Sequence, residues 1–265
     1  MDEKIKLLAH KIVNKIDNTV KKATKENFFK MGKTVDIGAD GTPTKYIDKI
    51  AEDVAVEIIK KSKFKVNLLS EEIGFIDNGG NYIFVLDPVD GTRNAYRGIP
   101  FFSVSLAVGK SASTLKDIEY GIVKNIPTGD VFIAQKNHGA FLNNNRIGVS
   151  DVPPKKTLSS LVLGVNCDHN TILLCKQNYI RSLGSASLEM CMVASGALDL
   201  YYVGKEFMRV VDIAAATLIV REAGGVVKNI YGKDLDMKIS LDVRTSVIAA
   251  GSENSIPDIT FRHKK

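Results

Sequence analysis

Residues 82–94 read YIFVLDPVDGTRN, and the rest of the chain is best read outward from them. The apolar run Tyr82–Leu86 ending in Asp87 has the form of a buried strand that delivers a carboxylate at its carboxyl end. Pro88 restricts the backbone between Asp87 and Asp90, so both side chains and the Val89 carbonyl can be aimed at one small volume. Gly91 permits close approach of a ligand, and a helix starting here would turn free N–H groups toward an anion such as phosphate. Thr92 adds a hydroxyl able to orient water.

Further acids fall at comparable places. VNLLS (66–70) is a second short apolar run and ends in Glu71-Glu72, while Asp212 opens a later helix directly after MRVV (208–211). Strand ends in one sheet can gather such groups into a single site. Several uncompensated carboxylates inside a fold are strongly unfavourable unless positive charge neutralises them. Every donor in the set is a hard oxygen, with neither His nor Cys among them, which favours Mg²⁺ or Mn²⁺ over Zn²⁺. Metal ions beside an anion-binding helix start predict hydrolysis of a phosphate ester, one ion activating water and a second stabilising the leaving oxygen. Taken singly, Asp-Pro and Asp-Gly are ordinary turn dipeptides, Glu-Glu is usually solvated surface and an Asp opening a helix is usually a cap. Their conjunction is what points to a site.

Composition sets the frame. The chain has 265 residues, 45% of them hydrophobic, with a mean hydropathy of zero, enough to bury a large core as one unit or two closely packed halves. No apolar run approaches the ~20 residues of a membrane span, and the first residues lack a signal-peptide core, so a cytoplasmic protein is expected. Cys167, Cys175 and Cys191 have neither the even count of a disulfide framework nor zinc-like pairing, and are expected as buried thiols. The formal charge of +6 comes from lysines scattered along the chain, which reads as solvated surface rather than a nucleic-acid stripe.

Along the chain, Ile5, Leu8, Ala9, Ile12, Ile16, Val20 and Ala23 recur at helical spacing and predict a long amphipathic first helix. MGKTVDIGADGTPT (31–44) carries the Gly, Pro, Asp and Thr of an irregular, potentially mobile loop or tight hairpin. A second helix is predicted from about Thr44 to Ser62, with Ile47, Ile50, Ala51, Val54 and Ile58 on one face and Asp48 and Glu52 on another. FFSVSLAVG, EYGIVKN, DVFIAQ and GAFLNN then predict an antiparallel sheet, completing an α+β half over 1–150 that holds the loop and the main metal motif. SDVPPKKT (150–157) marks the boundary to an α/β half, 151–265, carrying the last metal ligand and the substrate wall.

These residues resemble the inositol monophosphatase family, within the superfamily of magnesium-dependent, often lithium-sensitive phosphatases. The resemblance runs from about residue 30 to Gly251. Its carriers are YIFVLDPVDGTRNAYRGIPFFSVSLAVG (82–109), VVDIAAATLIVREAGGVV (210–227) and, between them, RSLGSASLEMCMVASGALDLYY (181–202). It implies a five-layer αβαβα sandwich, usually as a homodimer, and a site of two or three Mg²⁺ ions for which Mn²⁺ can substitute. Glu71, Asp87 and the Val89 carbonyl match ligands of the first ion, and Asp90 is expected to bridge it to a second ion completed by Asp212. Thr92 matches the threonine that positions the attacking water, with Asp48 as its acidic partner and Asp40, within the loop, as the competing candidate. The Gly91 and Thr92 amides match the phosphate cradle, and Gly184, Ser185 and Ala186 a substrate-contacting segment.

The chain departs from the common pattern in two places. Val211 stands where a Trp is usual, and Lys205 where the family has an inositol-binding glutamate. A lysine there suits a second anionic group better than a neutral polyol, and Arg209 and Arg97 are expected to add positive charge. The loop and the VVDIAA ending most resemble archaeal members that hydrolyse both inositol-1-phosphate and fructose-1,6-bisphosphate, and that dual activity is the expected one. A phosphatase of adenosine 3′,5′-bisphosphate or of NADP is the alternative within the superfamily, and a transcription-associated RNA-binding role the alternative outside it.

Overall fold

The computed structural model describes residues 1–39, 41–150, 157–163 and 167–258. The chain opens with helix α1 (Glu3–Glu26), whose predicted apolar stripe is buried and whose N-terminus is capped by Asp2, its carboxylate accepting from Lys4 N at 2.9 Å. The next segment is a hairpin of β1 (Thr34–Ile37) and β2 (Pro43–Lys45), leading without a break into α2 (Tyr46–Lys61). Helix α2 departs from expectation in its packing. Asp48 and Glu52, 6% and 2% exposed, share the buried face with Ile47, Ala51 and Ala55, whereas Ile50, Val54 and Ile58 are only partly covered. Both acids face inward because they have partners there.

Strands β3 (Val66–Ser70), β4 (Gly74–Ile76) and β5 (Tyr82–Asp90) follow, then the short α3 (Thr92–Arg97). The predicted meander forms as β6 (Ser103–Lys110), β7 (Ile118–Asn125), β8 (Val131–Gln135), β9 (Gly139–Leu142) and β10 (Asn145–Ile147). Together these strands make an eight-stranded sheet in the order β10-β9-β8-β7-β6-β5-β3-β4, antiparallel except for the β3–β5 pair. Eight of the nine residues of β5 are buried, as a strand covered on both faces requires.

The remainder runs β11 (Leu158–Leu161), α4 (His169–Gln177), β12 (Tyr179–Arg181), α5 (Ala186–Ala194), β13 (Leu200–Met208), α6 (Val210–Glu222), β14 (Val226–Lys228) and β15 (Thr245–Ala250). Its strands form a five-stranded mixed sheet in the order β12-β11-β13-β15-β14. The double proline expected to divide the halves lies within 151–156, outside the described residues, as does Asp40.

Contacts fix the layering. Helices α1 and α2 pack on β5–β7 from one side, α5 and α6 fill the space between the two sheets, and α4 covers β13 from beyond. The architecture is therefore a five-layer αβαβα sandwich. Every residue of α6 from Val210 to Val220 is buried, which suits a helix enclosed by sheets on both sides. Of the cysteines only Cys191 is buried; Cys175 is exposed, since α4 turns Thr171 and Leu174 inward and the residue after Leu174 faces outward.

Candidate active site

Regular strands send residues i and i+3 to opposite faces, so Asp87 and Asp90 could not converge on an unbroken β5. The pairing of β5 with β6 is regular from Tyr82 to Asp87 and shifts between Asp87 and Asp90, where Pro88 has no N–H to give to the ladder. That irregularity brings both acids to the same end of the sheet. Val89 N donates to Asp87 Oδ1 at 3.1 Å, holding the carboxylate, which is 2% exposed, over the bend. Gly91 follows in the left-handed region at φ 92° and is enclosed: a Cβ would meet the Gly184 and Phe101 carbonyl oxygens at 3.1 and 3.2 Å.

Oxygens of Glu71, Asp87 and Asp212 lie within 4.8 Å of one another. Glu71 comes from the turn after β3 and Asp212 from the first turn of α6. Burial pushes the Asp87 carboxyl well above the usual carboxylate range, reinforced by the charges of Glu71, Asp90 and Asp212. Glu71 is raised to about 7 by burial against the opposing pull of Arg209. Three converging carboxylates, all hard oxygen donors and with burial disfavouring the charged forms of Glu71 and Asp87, fit a hard divalent cation.

Asp90 has other company. Ser185 Oγ, Ala186 N, Ser187 N and Ser187 Oγ donate to its carboxylate at 2.6, 3.1, 2.7 and 2.5 Å, so that it caps α5 from a different sheet. Burial raises its pKa while those serine hydrogen bonds pull it back. The set whose oxygens converge is thus Glu71, Asp87 and Asp212, with Asp90 lining the same cavity while it holds the start of α5.

Thr92, the first residue of α3, sets its Oγ1 2.9 Å from Asp48 Oδ1 and 2.9 Å from the Val89 carbonyl. One hydroxyl proton cannot serve both acceptors, so the hydroxyl can switch between them. Asp48 has its pKa raised well above normal by burial and by the charge of Glu71. Thr92, Asp48, Glu71, Asp90 and Asp212 line a cavity of about 740 Å³ together with Gly91, Gly184, Ala186 and Arg209, while Asp87 lies behind the lining.

Three expected substrate residues lie off the cavity: Arg97 is exposed, its guanidinium over the Tyr96 ring, Lys205 is exposed on β13, and Ser185 is buried with its hydroxyl on Asp90. The side chains of Lys45, Arg93 and Arg244 line it instead. Three buried supports were also not foreseen. Glu52 accepts from the Glu72 and Ile73 amides and fixes the turn carrying Glu71. Glu189 accepts from Leu183 N and Gly184 N at 2.9 and 3.2 Å, and Asn94 Nδ2 donates to the Phe101 and Leu183 carbonyls at 2.7 Å each. A lone acid in the apolar helix LEMCMVA was the signal for Glu189, and an acid one turn beyond Asp48 the signal for Glu52.

A family model, the inositol monophosphatase family, matches residues 2–261. The chain belongs to the inositol monophosphatase family. Among curated members, a fructose-1,6-bisphosphatase/inositol-1-monophosphatase of Methanothermobacter thermautotrophicus is 42% identical over 233 residues, 83% of each chain. A bifunctional NADP phosphatase/NAD kinase of Methanocaldococcus jannaschii is 37% identical over 97% of this chain but only 49% of its own length, so this chain spans about half of that relative. Among solved structures, a Pyrococcus horikoshii protein with similarities to inositol-1 monophosphatase superposes with a TM-score of 0.84 at 32% identity, over 99% of both chains. Like its family, the chain is a phosphoric monoester hydrolase. Among the described residues, no helix is long and apolar enough to cross a membrane.

Proposed function

We propose that this family member is a Mg²⁺-dependent phosphatase of small phosphorylated sugars and polyols, hydrolysing both fructose-1,6-bisphosphate and inositol-1-phosphate. The observation that carries the reading is the convergence of Glu71 and Asp212, which line the cavity beside the Thr92–Asp48 pair, on the buried Asp87. Glu71, Asp87, the Val89 carbonyl, Asp90 and Asp212 are the residues that would hold two or three ions. Bound Mg²⁺ supplies Lewis-acid activation of water and neutralises charge on the phosphate and the leaving oxygen.

The chain's own groups do the positioning. Thr92 accepts a hydrogen bond from the attacking water and donates one to the Asp48 carboxylate, so that the hydroxyl is oriented to align a water lone pair with phosphorus. The amides of Gly91 and Thr92 receive phosphate oxygens, while Gly184 and Ala186, held by Glu189 and Asp90 and backed by Ser185, line the cavity beside them. Arg93, Arg209 and Arg244 give that wall positive charge suited to a second phosphate. The same charge supports a second reading, NADP as substrate, favoured by the likeness to the Methanocaldococcus jannaschii phosphatase/kinase. We further propose a cytoplasmic homodimer.

The test is phosphate release with Mg²⁺ from inositol-1-phosphate, fructose-1,6-bisphosphate, adenosine 3′,5′-bisphosphate and NADP, each repeated with EDTA. The first two should lead and EDTA should abolish both. If NADP leads, the second reading replaces the first; hydrolysis that persists in EDTA would remove the metal from the mechanism.

A further inference from the structure

Arg209 precedes α6, and its side chain folds back onto the carboxylate cluster. Its NH2 donates to Asp212 Oδ1 at 2.8 Å, its Nε lies 3.2 and 3.3 Å from the two Asp212 oxygens, and its backbone N–H donates to Oδ2 at 2.8 Å. Its NH1 reaches across to Glu71, 138 positions away in the chain. The guanidinium thus spans two of the three residues whose oxygens converge, while lining the cavity.

Two features of this contact have consequences. Each Asp212 oxygen already accepts two hydrogen bonds from Arg209, one or both from its side chain, so a cation coordinating Asp212 must take lone pairs that the guanidinium now uses. A divalent ion there would also stand against the guanidinium's own positive charge, which is largely buried. Conversely, a planar fork that fits two carboxylates equally fits the oxygens of a phosphate, and the cavity that Arg209 lines is where such an anion would lie.

We propose that Arg209 is an exchangeable counter-ion that couples metal binding to anion binding: a divalent cation at Asp212 displaces the guanidinium, which then engages an anion in the cavity. This rests on the metal-dependent phosphatase reading. Because coupling is reciprocal, an anion that engages Arg209 strengthens cation binding, and the cation strengthens anion binding. Arg209 is then a positioning residue as much as a substrate-binding one, and it discourages full metal loading until substrate is present.

Mn²⁺ affinity measured by titration calorimetry on EDTA-treated, dialysed protein tests this, with sulfate as a tetrahedral anion and Arg209→Met as the variant. Without sulfate, Arg209→Met should bind Mn²⁺ about tenfold more tightly than the wild type, a coupling of ordinary size. Sulfate should tighten Mn²⁺ binding to the wild type but leave the variant's affinity nearly unchanged. The EDTA-treated variant should also melt below the EDTA-treated wild type, because its carboxylates have lost their counter-ion. Equal or weaker Mn²⁺ binding by Arg209→Met would overturn the proposal, since the arginine would then orient the ligands rather than compete for them. If Arg209→Met does not fold, Arg209→Lys, which cannot span both carboxylates, must still tighten Mn²⁺ binding and weaken the sulfate effect. Failure of wild type and variants alike to bind Mn²⁺ would overturn the metal reading itself; binding by the wild type without the exchange would overturn this inference alone.

Discussion

The hydroxyl of Thr92 lies 2.9 Å from a carboxylate oxygen of Asp48, a residue 44 positions earlier on another helix. The contact ties α2, which follows the β1–β2 hairpin, to the bend after β5, and that hairpin is in turn fastened to Glu72, whose carbonyl accepts from Ala39 N at 2.8 Å and whose carboxylate accepts from Thr44. The water-orienting pair is therefore set by the same turn that presents Glu71. The hairpin is thereby fastened to the residue next to Glu71.

If the pair acts as a unit, removing either member should cost most of what removing both costs. Asp48→Ala and Thr92→Ala are each expected to lower kcat by roughly 10²-fold or more, with the double variant little worse than the poorer single one. Steady-state rates with inositol-1-phosphate at saturating Mg²⁺ give the comparison. Fully additive losses would show that the two residues serve separate steps.

Asp87 and Asp90 should separate by stability. Asp90 accepts four hydrogen bonds from Ser185, Ala186 and Ser187, so Asp90→Asn, which turns an amide N–H₂ toward some of those donors, should lose about 1–3 kcal/mol in urea denaturation as well as activity. Asp87→Asn removes a charge crowded by Glu71, Asp90 and Asp212 and should leave the EDTA-treated protein as stable as the wild type or more so, while losing Mg²⁺ binding. The reverse order of stabilities would show that Asp90, and not Asp87, is the carboxylate that metal must neutralise.

Much of this was legible in the chain. The stripe of α1, the meander from β6 to β9 and the acids at the ends of β3 and β5 follow from period and turn chemistry, because each is set by residues close in sequence. What escaped depends on distant partners. Nothing in DPVDGT announces that Asp90 will cap a helix beginning 96 residues later, and an acid on α2 looks like a solvated face until its receiving amides, those of Glu72 and Ile73, are known. Choosing among long cations failed for a related reason. Arg93 and Arg97 share one turn and a half of α3, and which of them faces the cavity is decided by how α3 docks, not by composition.

Protonation gives a prediction with a definite sign. Burial raises the carboxyls of Asp48, Asp87 and Asp90, and Glu71 reaches about 7. A carboxyl whose folded pKa lies above its ordinary value, about 4, contributes stability that is present below that value and is lost as pH rises through the folded one. EDTA-treated protein should therefore melt at a lower temperature at pH 8 than at pH 5.5. Mg²⁺ should reverse much of the loss and raise the melting temperature more at pH 8, because its ligands must be ionised to bind it. Calorimetry at the two pH values, with and without Mg²⁺, checks both statements; equal melting temperatures without metal would contradict the first.

Substrate preference should follow the cavity wall. Arg244 lies just before β15 and lines the cavity, with NH1 donating to the Leu241 and Val243 carbonyls, which hold the side chain in place without neutralising its charge. Lys205 is exposed on β13, off the wall, despite standing where the family has its inositol-binding glutamate. A second phosphate is then met by Arg244 and not by Lys205. Arg244→Ala should lower kcat/KM for fructose-1,6-bisphosphate about fivefold more than for inositol-1-phosphate, the loss of one charge-assisted contact. Lys205→Glu should change the ratio of the two substrates by less than about twofold, as expected of a screened surface charge. Both ratios come from the same pair of assays, and a ratio that moves with Lys205 but not with Arg244 would put the second phosphate on the β13 side of the site.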